Sequence, residues 1–297
     1  MRFFDLHCDT ADLCLKNDKT FTNNNFHIDF SKAKYIDTYI QCAAAFIPDK
    51  LKGKKALEHC ISLLEIIEKE NYFKNRDDIK NSKFPLIIPT VENCSALCGD
   101  IKNVDIFKKY NVKIATLTWN DDNQIGSGVK GTGKGLSDFG KQVLIKFEQE
   151  GVIPDISHAC EKLFWDVCEN ADKKIIASHS CAKRICSNSR NLTDEQIKEL
   201  IKRKSLIGIN FYKDFLNNDG DKSCIDDIIN HCDYILSLGG EGILGIGSDF
   251  DGCDLPKDIK GIESIGEIYN RFLQKNYSEI LLDKIFFKNA YDFVIAT

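Results

Sequence analysis

Six residues have types and spacings that could carry chemistry. His7 and Asp9 stand two apart in DLHCDT, and Glu92 follows an apolar run in TVEN. His158 closes DISH, His179 sits in ASHS, and Asp249 lies in GSDFDG. Imidazole nitrogen and carboxylate oxygen bind Zn²⁺ at about 2.0–2.2 Å. On an extended chain His7 and Asp9 point to the same side and can grip one ion together. His158 and His179 can grip a second ion, and Glu92, between the two pairs, can offer its carboxylate to both. Two ions about 3.5–4 Å apart can hold a hydroxide between them and polarise a carbonyl. Water bound to such an ion turns acidic near pH 7, which supplies a nucleophile. Each piece alone is a weak signal. A lone His at a strand end is more often structural, a Glu there is mostly a solvated loop residue, and an Asp beside Gly often serves a turn. The combination points to metal-assisted hydrolysis. The other three histidines contrast with these six: His27 falls in a loop, His59 and His231 fall on amphipathic stretches, and all three read as surface or packing residues.

The elements that must position these side chains alternate along the whole chain. Apolar runs predict strands at Phe3–Leu6, Tyr39–Phe46, Leu86–Val91, Lys113–Thr118, Val152–Ile156, Ile175–Ser178, Leu206–Phe211 and Ile243–Ser248. Pro89 suggests a strand end within the third of these. Helical spacing is read over 54–70, 136–150, 160–170, 193–203, 224–238, 262–274 and 278–288. Thr193 is the expected N-cap of its helix, and Gln196 completes a capping box. Eight strands alternating with helices predict an α/β fold, a (β/α)₈ TIM barrel over residues 1–297 as a single domain. An open eight-stranded sheet is the alternative. In a barrel all six residues lie at the C-terminal strand ends, which converge on one face. The loop GSGVKGTGKG (126–135) lacks the GK[ST] ending of a phosphate loop and reads as a flexible lid.

Composition narrows the class. Of 297 residues, 43% are hydrophobic and 29% charged, enough for a sizeable core. A net charge of −5 argues against a nucleic-acid partner. The N-terminus lacks the pattern of a signal peptide and no stretch of 18 apolar residues occurs, so a cytoplasmic protein without membrane attachment is expected. Thirteen cysteines without a CxxC pair read as small, buried, reduced side chains.

Taken in order, DLHCDT, TVEN, LTWN, DISH, ASHSCAKRICSNSRNLTDEQI, GINF and GSDFDG resemble the membrane dipeptidase (renal dipeptidase) family of zinc metallopeptidases. The resemblance runs from residue 4 to about 290 and is most specific in ASHS…SRNLTDEQI and GSDFDG. It implies an amidohydrolase-type barrel with two Zn²⁺. It assigns one ion to His7, Asp9 and Glu92 and the other to Glu92, His158 and His179. It makes Asp249 the proton shuttle and Arg190, in NSRN, the group that grips the C-terminal carboxylate of a dipeptide. A planar guanidinium suits that bidentate contact. The implied activity is hydrolysis of dipeptides through a metal-bridging hydroxide, and a homodimer is compatible with the resemblance. One departure stands out. Mammalian members carry His where LTWN has Trp119, so the resemblance does not carry that route of stabilising the scissile carbonyl over to this chain. Trp119 then walls the substrate site or packs in the core, and the same alternatives hold for Tyr212 after GINF. Two other functions stay open from sequence: hydrolysis of lactones, esters or non-peptide amides on the same barrel, or metal and ligand binding without catalysis.

Overall fold

The computed structural model describes residues 1–74 and 85–295. Eight parallel strands close into a barrel in sequence order: β1 Arg2–Asp5, β2 Thr38–Phe46, β3 Leu86–Glu92, β4 Ile114–Thr116, β5 Ile153–Asp155, β6 Ile176–Ala177, β7 Leu206–Ile209 and β8 Leu244–Ile246. The closing pair is β1 with β8, through Asp5 and Ile246. The open-sheet alternative is thereby excluded.

Alternation along the strands separates two apolar layers. Phe4, Leu6, Ile40, Cys42, Ile88, Ile114, Ile176 and Leu206 form the inner cluster. The last helical segments, through Phe287, Ala290 and Phe293, join this cluster and plug the end where the strands begin. The larger outer cluster lies between the strands and the surrounding helices. Full burial of a side chain of this size contributes roughly 1.5–3 kcal/mol, so these two layers fix the frame on which the strand ends sit.

Most expected elements are present with shorter strands. β4, β5, β6 and β8 span only two or three residues, because the chain turns into site-bearing loops where the apolar run continues. Pro89 does not end a strand; it lies inside β3. The ladder to β4 starts at Thr90 opposite Ile114, one residue beyond Pro89, so the missing N–H costs that ladder nothing. Short helices at Thr10–Asn17, Val104–Lys109 and Lys213–Leu216 carry too few turns to show a period in sequence. The expected helix over 278–288 is Glu279–Asp283 followed by a wider turn at Lys284–Lys288. The capping box is made: Thr193 accepts from the Gln196 N–H at 3.3 Å and donates its own N–H to Gln196 Oε1 at 2.8 Å.

The loop over 126–135 is fastened rather than free. Asp122 accepts from the Thr132 N–H at 2.9 Å, Ser127 Oγ from the Lys134 N–H at 2.8 Å, and the His158 carbonyl from the Val129 N–H at 2.9 Å. A Cβ on Gly128 would lie 2.0 Å from the Trp119 carbonyl oxygen, so this glycine serves close packing instead of mobility. All thirteen cysteines are free thiols, nine of them buried, in keeping with a packing role. Among the described residues no helix is long and apolar enough to cross a membrane.

Candidate active site

The six sequence-derived residues meet at the C-terminal end of the barrel. Glu92 is the last residue of β3 and shares the inward face of Leu86 and Ile88. His7 and Asp9 follow β1. Asp9 precedes helix Thr10–Asn17 but makes no side-chain cap; its carboxylate turns to His7 Nε2 at 3.5 Å instead. His158 and Asp249 lie three residues past β5 and β8, both in the left-handed region, with φ of +68° and +62°. That conformation is unfavourable for residues with a side chain and persists where surroundings enforce it, commonly at functional sites.

Glu92 stands at the centre. Its Oε2 lies 3.5 Å from His7 Nε2, while Oε1 lies 2.9 Å from His158 Nε2 and 3.7 Å from His179 Nε2. The His7 and His179 rings stack with centroids 3.9 Å apart. His158 and His179 bring their Nε2 atoms within 3.0 Å of each other. Their Nδ1 atoms are engaged from behind, by Asn120 Oδ1 at 3.1 Å and Ser178 Oγ at 2.7 Å. His7 Nε2 and Asp9 Oδ1 are buried with no hydrogen-bond partner. Orphaned buried polar atoms are costly, and both belong to side chains grouped closely enough to share an ion; that arrangement fits a cation. Among the described residues, two groups have ligand atoms close enough to share an ion: His7 with Glu92 and His179, and His7 with Asp9 and Asp249.

Electrostatics agree with that reading. Burial, and next the Asp9 charge, push Glu92 up to about 8. Burial pushes Asp249 up to about 6. Burial holds His158 and His179 well below the usual histidine range, with Arg190 adding to both. His7 moves the other way: burial opposes its charge, but Asp9 and Glu92 outweigh it. Glu92 and Asp249, buried among imidazoles, resist ionisation until positive charge is supplied, which a divalent cation does.

Arg190 is buried beside this cluster. One Nη donates to the His179 carbonyl at 3.3 Å, the guanidinium lies 5.3 Å from the centre of the Phe215 ring, and Nε has no partner. Trp119 packs edge-on against Phe46 at 5.0 Å and lies 6.2 Å from the His158 ring. Tyr212 is half-buried and packs on Phe215 at 4.7 Å, one ring removed from Arg190.

Sequence reading missed the residues that hold this set. Asn210 donates to Asp249 Oδ2 at 2.8 Å. Asp5 accepts from the backbone N–H of Ser248 at 2.8 Å and from its hydroxyl at 2.6 Å, and so fixes the turn before Asp249. Asp155 does the same for Ser178, before His179. The available signal was a repeated one: an Asp ending one strand pairs with a Ser immediately before a site residue on its neighbour.

Comparison with known proteins bears on this geometry. The metallo peptidase of Rhodobacter sphaeroides, solved with a phosphinate mimic of L-Ala-D-Ala, superposes with a TM-score of 0.91, covering 99% of this chain and 98% of that one. Its identity is 20%, so the likeness speaks for the fold. The uncharacterized protein of the pqqA 5' region of Klebsiella pneumoniae is 30% identical over 71% of this chain and 81% of its own length. Dipeptidase tcpJ of Claviceps purpurea is 28% identical over 62% of this chain, a match spanning 44% of that protein. The membrane dipeptidase (peptidase family M19) model matches residues 1–293, and the chain belongs to that family.

Proposed function

We propose that this chain hydrolyses the peptide bond of dipeptides at a centre of two divalent cations, zinc in our reading, in the mouth of the barrel. The observation that carries this is the two-faced Glu92, whose Oε2 looks to His7 and whose Oε1 looks to His158 and His179. His7, Asp9 and Glu92 would hold one cation, and Glu92, His158 and His179 the other. When bound, the pair supplies Lewis acidity and a water acidified toward neutral pH.

The chain's own groups do the rest. One Nη of Arg190 is anchored on the His179 carbonyl and Nε has no hydrogen-bond partner, so the guanidinium is held in place with N–H groups to spare for the C-terminal carboxylate of a dipeptide. Burial works against the guanidinium charge, and a docked carboxylate restores the balance. Asp249, held up at about 6, can accept a proton from the attacking water near neutral pH and return it to the leaving amine. Trp119 and Tyr212 bound the space for the substrate's side chains. The mimic bound by the Rhodobacter relative makes L-Ala-D-Ala a natural member of the substrate set.

The test is hydrolysis by the zinc-reconstituted protein of L,L- and L,D-dipeptides, their C-terminal amides, a lactone and an ester. Free dipeptides should lead. Arg190→Ala should cut kcat/KM on free dipeptides by about 100-fold or more, the scale of losing a buried charge partner, and affect the amides far less. Equal loss on both would remove the carboxylate fork, and preference for the lactone or ester would replace the dipeptidase reading.

A further inference from the structure

Asp155 ends β5, is wholly buried, and bonds to no side chain among the candidate cation ligands, yet it holds the turns that carry two of them. Its Oδ1 accepts from the N–H of Ser157 at 2.9 Å and of Ser178 at 3.0 Å, the residues just before His158 and His179. Its Oδ2 accepts the Thr116 hydroxyl at 2.6 Å and the Ser178 hydroxyl at 2.5 Å. Two donors on each oxygen fill the acceptor capacity of the carboxylate. The Ser178 hydroxyl has one hydrogen. Given to Asp155, it cannot also go to His179, whose Nδ1 lies 2.7 Å from the same oxygen. That bond must therefore run from His179 Nδ1–H to Ser178 Oγ. Nε2 keeps its lone pair, and Nε2 is the atom facing Glu92 at 3.7 Å and His158 at 3.0 Å.

We propose that Asp155, acting through Ser178, is a positioning residue that sets the tautomer of His179 and thereby the affinity for the cation assigned to Glu92, His158 and His179. The inference rests on the two-cation reading above. It has a consequence that a packing role would not share. In Asp155→Asn, the amide oxygen serves the two backbone donors and the NH₂ faces the hydroxyls. Ser178 then accepts from that NH₂ and gives its hydrogen to His179 Nδ1. The imidazole stays neutral, but its proton moves to Nε2, and N–H stands where a cation needs a lone pair. In Ser178→Ala nothing dictates the tautomer, so the loss is smaller. Combining Asp155→Asn with Ser178→Ala removes the hydroxyl that forces the wrong tautomer.

The experiment titrates metal-free protein with Zn²⁺ against a chelating indicator, for wild type, the two single variants and the double variant. Thermal melts of the metal-free forms check folding. Wild type should take up two equivalents. Ser178→Ala should weaken one of the two steps about 10–100-fold, the usual cost of losing an outer partner. Asp155→Asn should weaken that step further, and the double variant should recover to the Ser178→Ala level. Fewer than two equivalents in wild type overturns the two-cation reading and this inference with it. Two equivalents in wild type, with Asp155→Asn no weaker than Ser178→Ala or with no recovery in the double variant, overturns the inference alone. If Asp155→Asn fails to fold, ¹⁵N shifts of the His179 ring in metal-free wild type decide: a proton on Nδ1 supports the relay, and a proton on Nε2 overturns it.

Discussion

Asp249 sits at a division of roles that one substitution can resolve. Its Oδ1 lies 3.9 Å from His7 Nε2, near enough to share an ion with His7 and Asp9, while Asn210 holds Oδ2 at 2.8 Å. Asp249→Asn keeps the shape and an oxygen for Asn210 but has no carboxylate to carry a proton. We expect kcat to fall by about 10²–10⁴, the range for loss of a general acid–base group, with metal content unchanged. Retained turnover removes Asp249 from proton transfer, and loss of metal makes it a ligand. At this scale the six candidate residues were legible because His and carboxylate recur together at successive strand ends, although each alone is a weak signal. Their supports were not, since Asp5, Asp155, Ser178 and Ser248 read as ordinary strand-end polar residues until the barrel pairs them across neighbouring strands. The flexible lid was misread for a related reason: glycines that permit close packing look the same in sequence as glycines that permit motion.

Elements set how tolerant these positions are. The turn after β8 brings Gly252 so close that a Cβ there would lie 2.0 Å from Asp9 Oδ2 and 2.6 Å from Asp249 Oδ1. Gly252→Ala must displace both carboxylates. It should lower zinc affinity and kcat/KM at least tenfold, because ligating and reacting atoms tolerate little displacement, while the metal-free melting temperature stays within a few degrees. Unchanged zinc affinity would show that the turn yields instead. Helix Ile225–Ser237 offers a test of a different kind. His231 on it is fully buried, accepts the Ala182 N–H at Nδ1 and faces the Leu216 carbonyl with Nε2, both at 3.1 Å. Protonation would set an N–H against an N–H, and burial further lowers the group to about 4. With an unfolded value of about 6.5, the unfolded chain binds the extra proton first as pH falls, so this contribution is full above 6.5 and lost toward 4. The loss should reach about 2 kcal/mol by pH 5, and His231→Gln should flatten the stability profile between pH 7 and 5 by that amount. An unchanged slope would mean that other groups carry it. Strand order and the capping box at Thr193 were readable because period and cap chemistry are local. Strand length was not, because where an apolar run leaves the ladder depends on its neighbour's register, as at Pro89 and β4.

At the scale of the molecule, closure of β1 on β8 is what turns six scattered residues into one site. His7 and Asp249 are 242 positions apart, yet the Asp249 N–H donates to the His7 carbonyl at 3.1 Å. Ligands drawn from β1, β3, β5 and β6 mean that cations would cross-link half the barrel. The linkage has a definite sign: a cation that binds only the folded chain stabilises it, by about 2.7 kcal/mol per site at a free concentration one hundred times its Kd. Two such sites would add roughly 5 kcal/mol, and about 2 °C per kcal/mol for a chain of this size gives a rise of roughly 10 °C in melting temperature. Stripping the protein with a chelator should lower Tm by that order, and zinc should restore it in a concentration-dependent way. The same experiment on the His7→Ala variant should show a smaller rise, because His7 faces both Asp9 and Glu92. A melting temperature indifferent to zinc in wild type would mean that these strand ends hold no cation, however well their geometry suits one.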